Sequence, residues 1–303
     1  MPSSISVCDV GPRDGLQNEP VNLSPEVRAE LCHRLAAAGV PTVEAVSFVS
    51  PARVPQMAGA EEVIARLDSR LLTAWAGLVL NERGLERAQA VGVSRIHYAL
   101  PVTETFAARN QGSTVEESIR TAHEIVRRAR AAGIHTSVIV GAAFGCPFEG
   151  TVEEETVLSV VERVLAEPPD QLVLADTIGA AVPAQVRSLV RRVVESGIPL
   201  GAHFHNTRNT GYANALQALE SGCVSLDASL GGCGGCPFAP NATGNIATED
   251  LVYMLERSGV RTSIDLEKLI EASLWLSETL GRQLPGMVAR APMFPPASRH
   301  LAV

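Results

Sequence analysis

Aromatic side chains are scarce, at 4% of the 303 residues. A core with so few rings has to be filled by Ala, Val and Leu, which dominate a hydrophobic share of 46% and a mean hydropathy of +0.14. That mix suits buried parallel strands and closely packed helices. No basic stripe relieves a net charge of −8, which argues against nucleic acid as a partner. An anionic substrate would need a local cation or a metal ion. No apolar run reaches the roughly 18 residues of a membrane span. Met1 to Ser6 carry no basic signal region, and Leu301-Ala302-Val303 match no retention or peroxisomal signal. The six cysteines are scattered instead of forming a disulfide framework. These features predict a cytoplasmic protein with reduced thiols. H-E-x-x-H, G-x-S-x-G, G-x-G-x-x-G and P-loop patterns are all missing, which argues against a zincin, a serine hydrolase elbow and the common nucleotide folds. No low-complexity linker divides the chain, so one domain is expected over 1–303, with C-terminal helices and a tail from about 246.

What is present is a repeated unit: a short apolar run, a polar loop, then a helical pattern. The strand-like runs number eight: Ile5–Val10, Thr42–Phe48, Leu72–Leu80, Arg95–Leu100, Thr136–Ala142, Gln171–Ala175, Leu200–Phe204 and Cys223–Asp227. Ser24-Pro25-Glu26 reads as a helix start, with Ser as cap, Pro in the first turn and an acid beside it. Asn81 and Thr114 (or Ser113) open further helices, and Thr151 with Glu154 reads as a capping box. Gly39, Gly92, Gly133, Gly197 and Gly222 close helices. Two more helices are expected near Thr248–Arg257 and Ile264–Leu280. Eight βα units are the number that closes a barrel, so the predicted fold is α/β, a (β/α)8 TIM barrel with a C-terminal helical extension. An open doubly wound sheet is the competing architecture.

In such a barrel the chemistry sits at the C-terminal ends of the strands. The unusual polar residues fall there: Arg13, Asp14 and Gln17 after the first run, Glu44 in the second, Asp176-Thr177 after the sixth, His203 and His205 in the seventh, and Asn245 beyond the eighth. Two histidines at i and i+2 of a strand point to one side. With Asp14 and Asn245 they make a two-nitrogen, two-oxygen set for a divalent ion, Mg²⁺ or Mn²⁺ ahead of Zn²⁺. Arg13 beside Asp14 can hold an anionic or enolate oxygen; a structural salt bridge is the alternative, and the position after the first run, with Gly11, Pro12 and Gly15 fixing the turn, favours function. Glu44 can orient Arg13 or serve as a purely structural partner. The loop Gly231-Gly232-Cys233-Gly234-Gly235-Cys236 contains a C-x-x-C. It has no second C-x-x-C and no thioredoxin-like context, so a single useful thiol on an active-site loop is the preferred reading. Cys8, Cys32, His33, His97, His123 and His135 read as ordinary core or polar residues, and Cys146 as a residue bordering the site.

The motifs Gly11-Pro12-Arg13-Asp14-Gly15-Leu16-Gln17-Asn18-Glu19, Val43-Glu44-Ala45-Val46-Ser47-Phe48, Asp176-Thr177-Ile178-Gly179, His203-Phe204-His205 and Gly234-Gly235-Cys236-Pro237-Phe238, followed by Gly244-Asn245-Ile246, closely resemble the 3-hydroxy-3-methylglutaryl-CoA lyase family over nearly the whole chain. The resemblance implies a carbon–carbon lyase that splits 3-hydroxy-3-methylglutaryl-CoA into acetyl-CoA and acetoacetate, as in leucine degradation, and that assembles as a homodimer or larger oligomer. It implies Asp14, His203, His205 and Asn245 as metal ligands, Arg13 as the enolate-stabilising arginine and Cys236 as the catalytic cysteine. Glu44 and Asp176 become site acids, with Asp176 or His203 as the base. Gln17, Ser47 and Thr177 become substrate neighbours. Three departures stand out. Asn206-Thr207-Arg208-Asn209 replaces the usual Asp-Thr-Tyr-Gly, Asp9 stands for Glu, and Arg53 stands for Trp. Arg208 is therefore expected to read a differently placed carboxylate. The alternative substrates are citramalyl-CoA or a longer 3-hydroxy-3-alkylglutaryl-CoA, with a condensing synthase of the same superfamily as a more distant reading.

Overall fold

A computed structural model describes residues 2–236, 239–292 and 294, with the main chain alone at 236 and 239–242. Eight parallel strands form a closed barrel in chain order: β1 (Ser6–Asp9), β2 (Thr42–Ser47), β3 (Ala74–Val79), β4 (Arg95–Pro101), β5 (His135–Gly141), β6 (Gln171–Asp176), β7 (Leu200–Phe204) and β8 (Ser225–Ala228). All eight expected runs are strands, and the ring excludes the open sheet. β8 pairs with β1 to close it, with Asp227 beside Cys8 and Ala228 beside Asp9. Every residue of β2 and of β7 is buried. Barrel interior and helical sheath cover both faces of each strand, so the strands read as continuous apolar runs instead of alternating ones.

β2 contains a register shift. Glu44 pairs with Ala76, but Val46 already pairs with Gly77 and Ser47 with Leu78. This bulge brings Ser47 onto the face that carries Glu44, an inversion that simple alternation forbids.

The helices follow their sequence cues closely. α1 (Pro25–Ala37) starts at Ser24, whose Oγ accepts from Val27 N, and α3 (Glu82–Val91) is capped by Asn81 and ends on left-handed Gly92. Between them lies α2 (Ala60–Arg66). α5 (Val115–Ala131) carries the Thr114–Glu117 capping box and buries Ile119, Ala122, Val126 and Ala129 along one face. Each such Ile or Val contributes roughly 2 kcal/mol of burial. Ahead of it, α4 (Glu104–Gln111) is an element the sequence reading passes over. The capping box expected at Thr151 is not formed. α6 (Glu154–Val164) begins from Glu153, because Val152 packs against the core and keeps the chain extended past Thr151. α7 (Pro183–Val194) and α8 (Gly211–Glu220) complete the sheath.

Beyond β8 come a short hairpin, β9 (Gly235–Cys236) and β10 (Ala239–Thr243), then α9 (Thr248–Arg257) and α10 (Leu266–Leu280). The extension is bound to the barrel mouth. Glu249 on α9 accepts from Gly231 N at 2.9 Å and from Ser273 Oγ on α10 at 2.8 Å. Arg282, after α10, forms an ion pair with buried Glu19, just past the turn that carries Arg13 and Asp14. Among the described residues no helix is long and apolar enough to cross a membrane.

Candidate active site

Arg13 and Asp14 lie on one π-helical turn, Gly11–Gly15, in which Gly15 N reaches back to Val10 O at 3.2 Å. Such turns are rare and gather at functional sites. Here close packing enforces the glycines: a Cβ on Gly15 would lie 2.7 Å from Ser229 Oγ, and one on Gly11 2.8 Å from Asp9 Oδ1. The turn directs both charged side chains into the barrel mouth.

Arg13 is almost fully buried. Its Nε donates to Glu44 Oε2 and its Nη1 to Asp14 Oδ1 at 2.7 Å. These bonds use two of the three guanidinium nitrogens and leave Nη2 for a ligand. Glu44 is fully buried, and its second oxygen faces His97 Nδ1 at 2.8 Å. Burial alone would push the Glu44 carboxyl up, but Arg13 and His97 outweigh it and hold the group below its ordinary range. Glu44 is thus ionised and acceptor-only, so His97 is the donor in that bond.

Asp14 also resists the effect of burial. The cations and imidazoles of Arg13, His203 and His205 hold its carboxyl well below the usual carboxylate range. Its Oδ2 accepts from Asn245 Nδ2 at 2.9 Å. Asn245 reaches it because an antiparallel bridge sets His205 against Asn245. Ligand atoms of Asp14, His203 and His205 all fall within 4.8 Å of one another. Two buried atoms in this cluster have no hydrogen-bond partner: His205 Nδ1 and Asn245 Oδ1. Buried polar atoms are rarely left so, and a divalent ion is the group that would satisfy both. The donor set therefore fits a metal. His203 Nδ1 faces Asp227 Oδ2 at 3.4 Å, which leaves Nε2 for a ligand or a proton. Burial lowers the His203 imidazole, and Asp227 more than reverses that, so its proton affinity ends above the ordinary value. His205 goes the other way, lowered to about 4 by burial and by His203.

A cavity of about 730 Å³ opens over this cluster, within the usual range of ligand pockets. Arg13, Asp14, Gln17, Thr177, His203 and His205 line it. Gln17 Oε1 is buried without a partner there. Thr177 Oγ1 accepts from Ala142 N at 2.9 Å. Ser47, Asp176 and Arg208, also expected at the site, are not among the lining residues. Ser47 is fully buried with its Oγ unpartnered. Asp176 accepts from Ala180 N at 2.8 Å and Ala181 N at 3.0 Å, so both its oxygens shape the turn that carries Thr177. Arg208, expected to read a substrate carboxylate, donates instead to the carbonyls of Ile178 and Gly179 at 2.8 and 3.0 Å. Both bonds come from Nη1, so they tie Arg208 to that same turn while its Nε and Nη2 make no bond to it.

The main chain of Cys236 pairs with Ala239 across the hairpin. Its side chain, like Pro237 and Phe238, lies outside the described residues. Cys233, the other half of the C-x-x-C, is buried with Sγ 3.5 Å from both Gly15 O and Glu19 Oε1. Cys146 is buried too, 3.1 Å from Thr103 Oγ1, and is not among the residues lining the cavity. His97 and Asp227 are the functional partners that the sequence reading missed. Each is an ionisable side chain set between buried apolar neighbours of its strand, Ile96 and Tyr98 around His97 and Leu226 and Ala228 around Asp227, and that contrast was the available signal.

The family model HMGL-like matches residues 4–275. The (R)-citramalyl-CoA lyase of Chloroflexus aurantiacus is 45% identical over 96% of this chain and 96% of its own. The hydroxymethylglutaryl-CoA lyase of Bacillus subtilis is 37% identical over 94% of this chain and 96% of its own. Among solved structures, an HMG-CoA lyase from Acinetobacter baumannii in complex with coenzyme A and 3-methylmalate superposes with a TM-score of 0.90 at 38% identity, covering 99% of this chain and 97% of that one. Fold, motif order and near-full-length likeness agree: the chain belongs to the HMGL-like family and is a carbon–carbon lyase of acyl-CoA thioesters.

Proposed function

We infer that the protein cleaves a 3-hydroxy-3-methyl acyl-CoA bearing a distal carboxylate, releasing acetyl-CoA and a 2- or 3-oxo acid, with Mg²⁺ or Mn²⁺ held by Asp14, His203, His205 and Asn245. The cluster of Asp14, His203 and His205 beside Arg13 is the observation that carries this reading. When bound, the ion supplies Lewis acidity to the substrate's hydroxyl and carboxylate oxygens. Loss of the hydroxyl proton lets the neighbouring carbon–carbon bond break. The hydroxyl carbon becomes a ketone and the electron pair passes to the thioester as an enolate. Arg13, held by Glu44 and Asp14, offers Nη2 to that enolate oxygen, worth on the order of 3 kcal/mol by analogy with other oxyanion donors. His203 lines the cavity with Asp227 behind its Nδ1, whereas Asp176 is recessed, so His203 is the better placed acceptor of the hydroxyl proton, a role its Nε2 can fill only in exchange for its bond to the ion. Cys236 would return a proton to the enolate carbon.

Two substrates fit this scheme. Hydroxymethylglutaryl-CoA would give acetoacetate, and the shorter citramalyl-CoA would give pyruvate. The 45% identity to a citramalyl-CoA lyase, against 37% to a hydroxymethylglutaryl-CoA lyase, favours the shorter acid. Purified protein given each thioester, with Mg²⁺ or with EDTA, should release acetyl-CoA only when metal is present, and faster from citramalyl-CoA. Free CoA appearing without acetyl-CoA would mean a hydrolase instead. A homo-oligomeric cytoplasmic enzyme completes the proposal, and light scattering reads the assembly.

A further inference from the structure

The cavity changes character along its length. One end is the charged cluster of Arg13, Asp14, His203 and His205, and the wall that continues from it mixes apolar Phe48, Leu78, Leu100 and Phe106 with the amides of Asn81, Asn110 and Gln111. The lining also includes one exposed cation, Arg53. The metal end is built from β7, β1 and the segment after β8, whereas Arg53 follows β2 and Phe106 lies on α4 after β4. The two ends therefore sit on different arcs of the mouth.

Arg53 is held by an ordered turn. Its own N and that of Val54 both donate to Ser50 O, at 3.0 and 3.1 Å, and Arg87 Nη1 ties the preceding carbonyls of Phe48 and Val49 at 3.0 Å each. Arg87 is itself matched to Glu61, while no carboxylate pairs with Arg53 among the described residues. Of the two arginines that line the cavity, only Arg53 lacks a carboxylate partner among the described residues. Arg13 is held by Glu44 and Asp14, and the only lysine of the chain, Lys268, is paired with Asp265. In a chain of net charge −8, an unmatched arginine at a cavity rim is a local reversal of sign, and a guanidinium is well shaped for phosphate oxygens.

We propose that Arg53 binds the phosphates of the substrate's CoA nucleotide, with the mixed wall of apolar and amide side chains receiving the pantetheine arm, itself hydrocarbon and amide, and the cluster around Asp14 the acyl head. This rests on the acyl-CoA reading above and adds the location of the nucleotide. Arg53 is then a binding residue that acts on affinity and leaves the chemical step alone.

The test compares wild type with Arg53→Ala, Arg53→Lys and Arg53→Trp on a full CoA thioester and on the matching pantetheine thioester, which keeps the acyl carboxylate but has no phosphates. With the CoA thioester, Arg53→Ala and Arg53→Trp should raise KM about tenfold with kcat little changed, the size of one charge-assisted bond, and Arg53→Lys should fall between. With the pantetheine thioester all four proteins should behave alike. Free CoA measured by calorimetry should lose the same factor in Arg53→Ala, and free pantetheine none. An equal loss on both thioesters would mean that Arg53 reads the acyl carboxylate, and no loss on either would remove it from binding; both outcomes overturn the proposal. If wild type cleaves neither thioester yet its CoA affinity depends on Arg53, the lyase substrate is wrong and the phosphate site stands.

Discussion

Glu44 accepts from Arg13 with one carboxylate oxygen and faces His97 Nδ1 at 2.8 Å with the other. Three strands' worth of barrel interior thereby fixes the aim of a single guanidinium. Arg13 has one further partner, Asp14, and that residue also belongs to the cluster that could hold a metal ion.

Removing the negative charge should therefore cost turnover more than folding. Glu44→Gln keeps the shape and one acceptor but loosens Arg13, and kcat should fall about 100-fold, the usual cost of misplacing a reacting group by an ångström. Mn²⁺ affinity, read by titration, should stay unchanged. Glu44→Ala is the harsher variant. It strands a buried cation and should lower stability by about 3 kcal/mol in denaturant unfolding.

Metal binding should depend directly on Asp14. Asp14→Asn should weaken Mn²⁺ binding by more than about 100-fold, beyond the loss seen when only an outer partner of a ligand is removed. Asp227→Asn, which touches only His203, should cost about 10-fold. EDTA should lower the melting temperature of wild type, since an ion bound only to the folded chain stabilises it. A melting temperature indifferent to EDTA and to added Mn²⁺ would count against the metal site.

Asp176 separates a positioning role from a proton-transfer role. In Asp176→Asn one of the two loop amides, from Ala180 or Ala181, loses its acceptor, a local cost of about 1–3 kcal/mol. The turn that carries Thr177 should loosen, raising KM while the pH dependence of kcat keeps its form. A collapse of kcat together with a lost acidic limb would instead make Asp176 the base.

Stability should fall as pH rises through the mildly acidic range, on account of two buried acids away from the ligands. Burial raises Glu249 to about 7 and Asp9 to about 7, each against hydrogen bonds that pull the other way. A raised carboxyl pKa means that the folded chain binds more protons than the unfolded one between the ordinary value and 7. Its stabilising contribution is complete below about 4 and is lost as pH climbs through 7. For Glu249 the loss is on the order of 3 kcal/mol. Glu249→Gln, which can still serve Gly231 N and Ser273 Oγ, should flatten that slope in denaturant unfolding followed from pH 4.5 to 7.5. An identical slope in the variant would show that Glu249 is not protonated in the fold.

The barrel was legible because its strands are apolar and its helix caps are local. Ser24, Asn81 and Thr114 act within four residues of themselves, and the sequence places them well. The pairing of His203 with His205 was legible for the same reason: residues two apart at the end of a strand share a face whatever surrounds them. What escaped depends on ring closure. His97 meets Glu44 only across an intervening strand, and Asp227 lies beside His203 only in the final register. Ser47 joins the face of Glu44 through a bulge that has no cue in its residue types. Nothing in the neighbourhood of Arg208 along the chain shows that its Nη1 reaches the carbonyls of Ile178 and Gly179.

The site straddles the seam where the last strand meets the first. Asp14 and Asn245 touch at 2.9 Å although 231 residues separate them along the chain. A growing polypeptide that has made the first seven strands already possesses Arg13, Asp14, Glu44 and both histidines, yet it lacks the asparagine and has no closed ring to hold the aspartate in place. Contacts so distant in sequence form late and slowly. An ion held by this set would then be a certificate of completed closure, since a truncated or half-folded chain lacks the geometry to hold it.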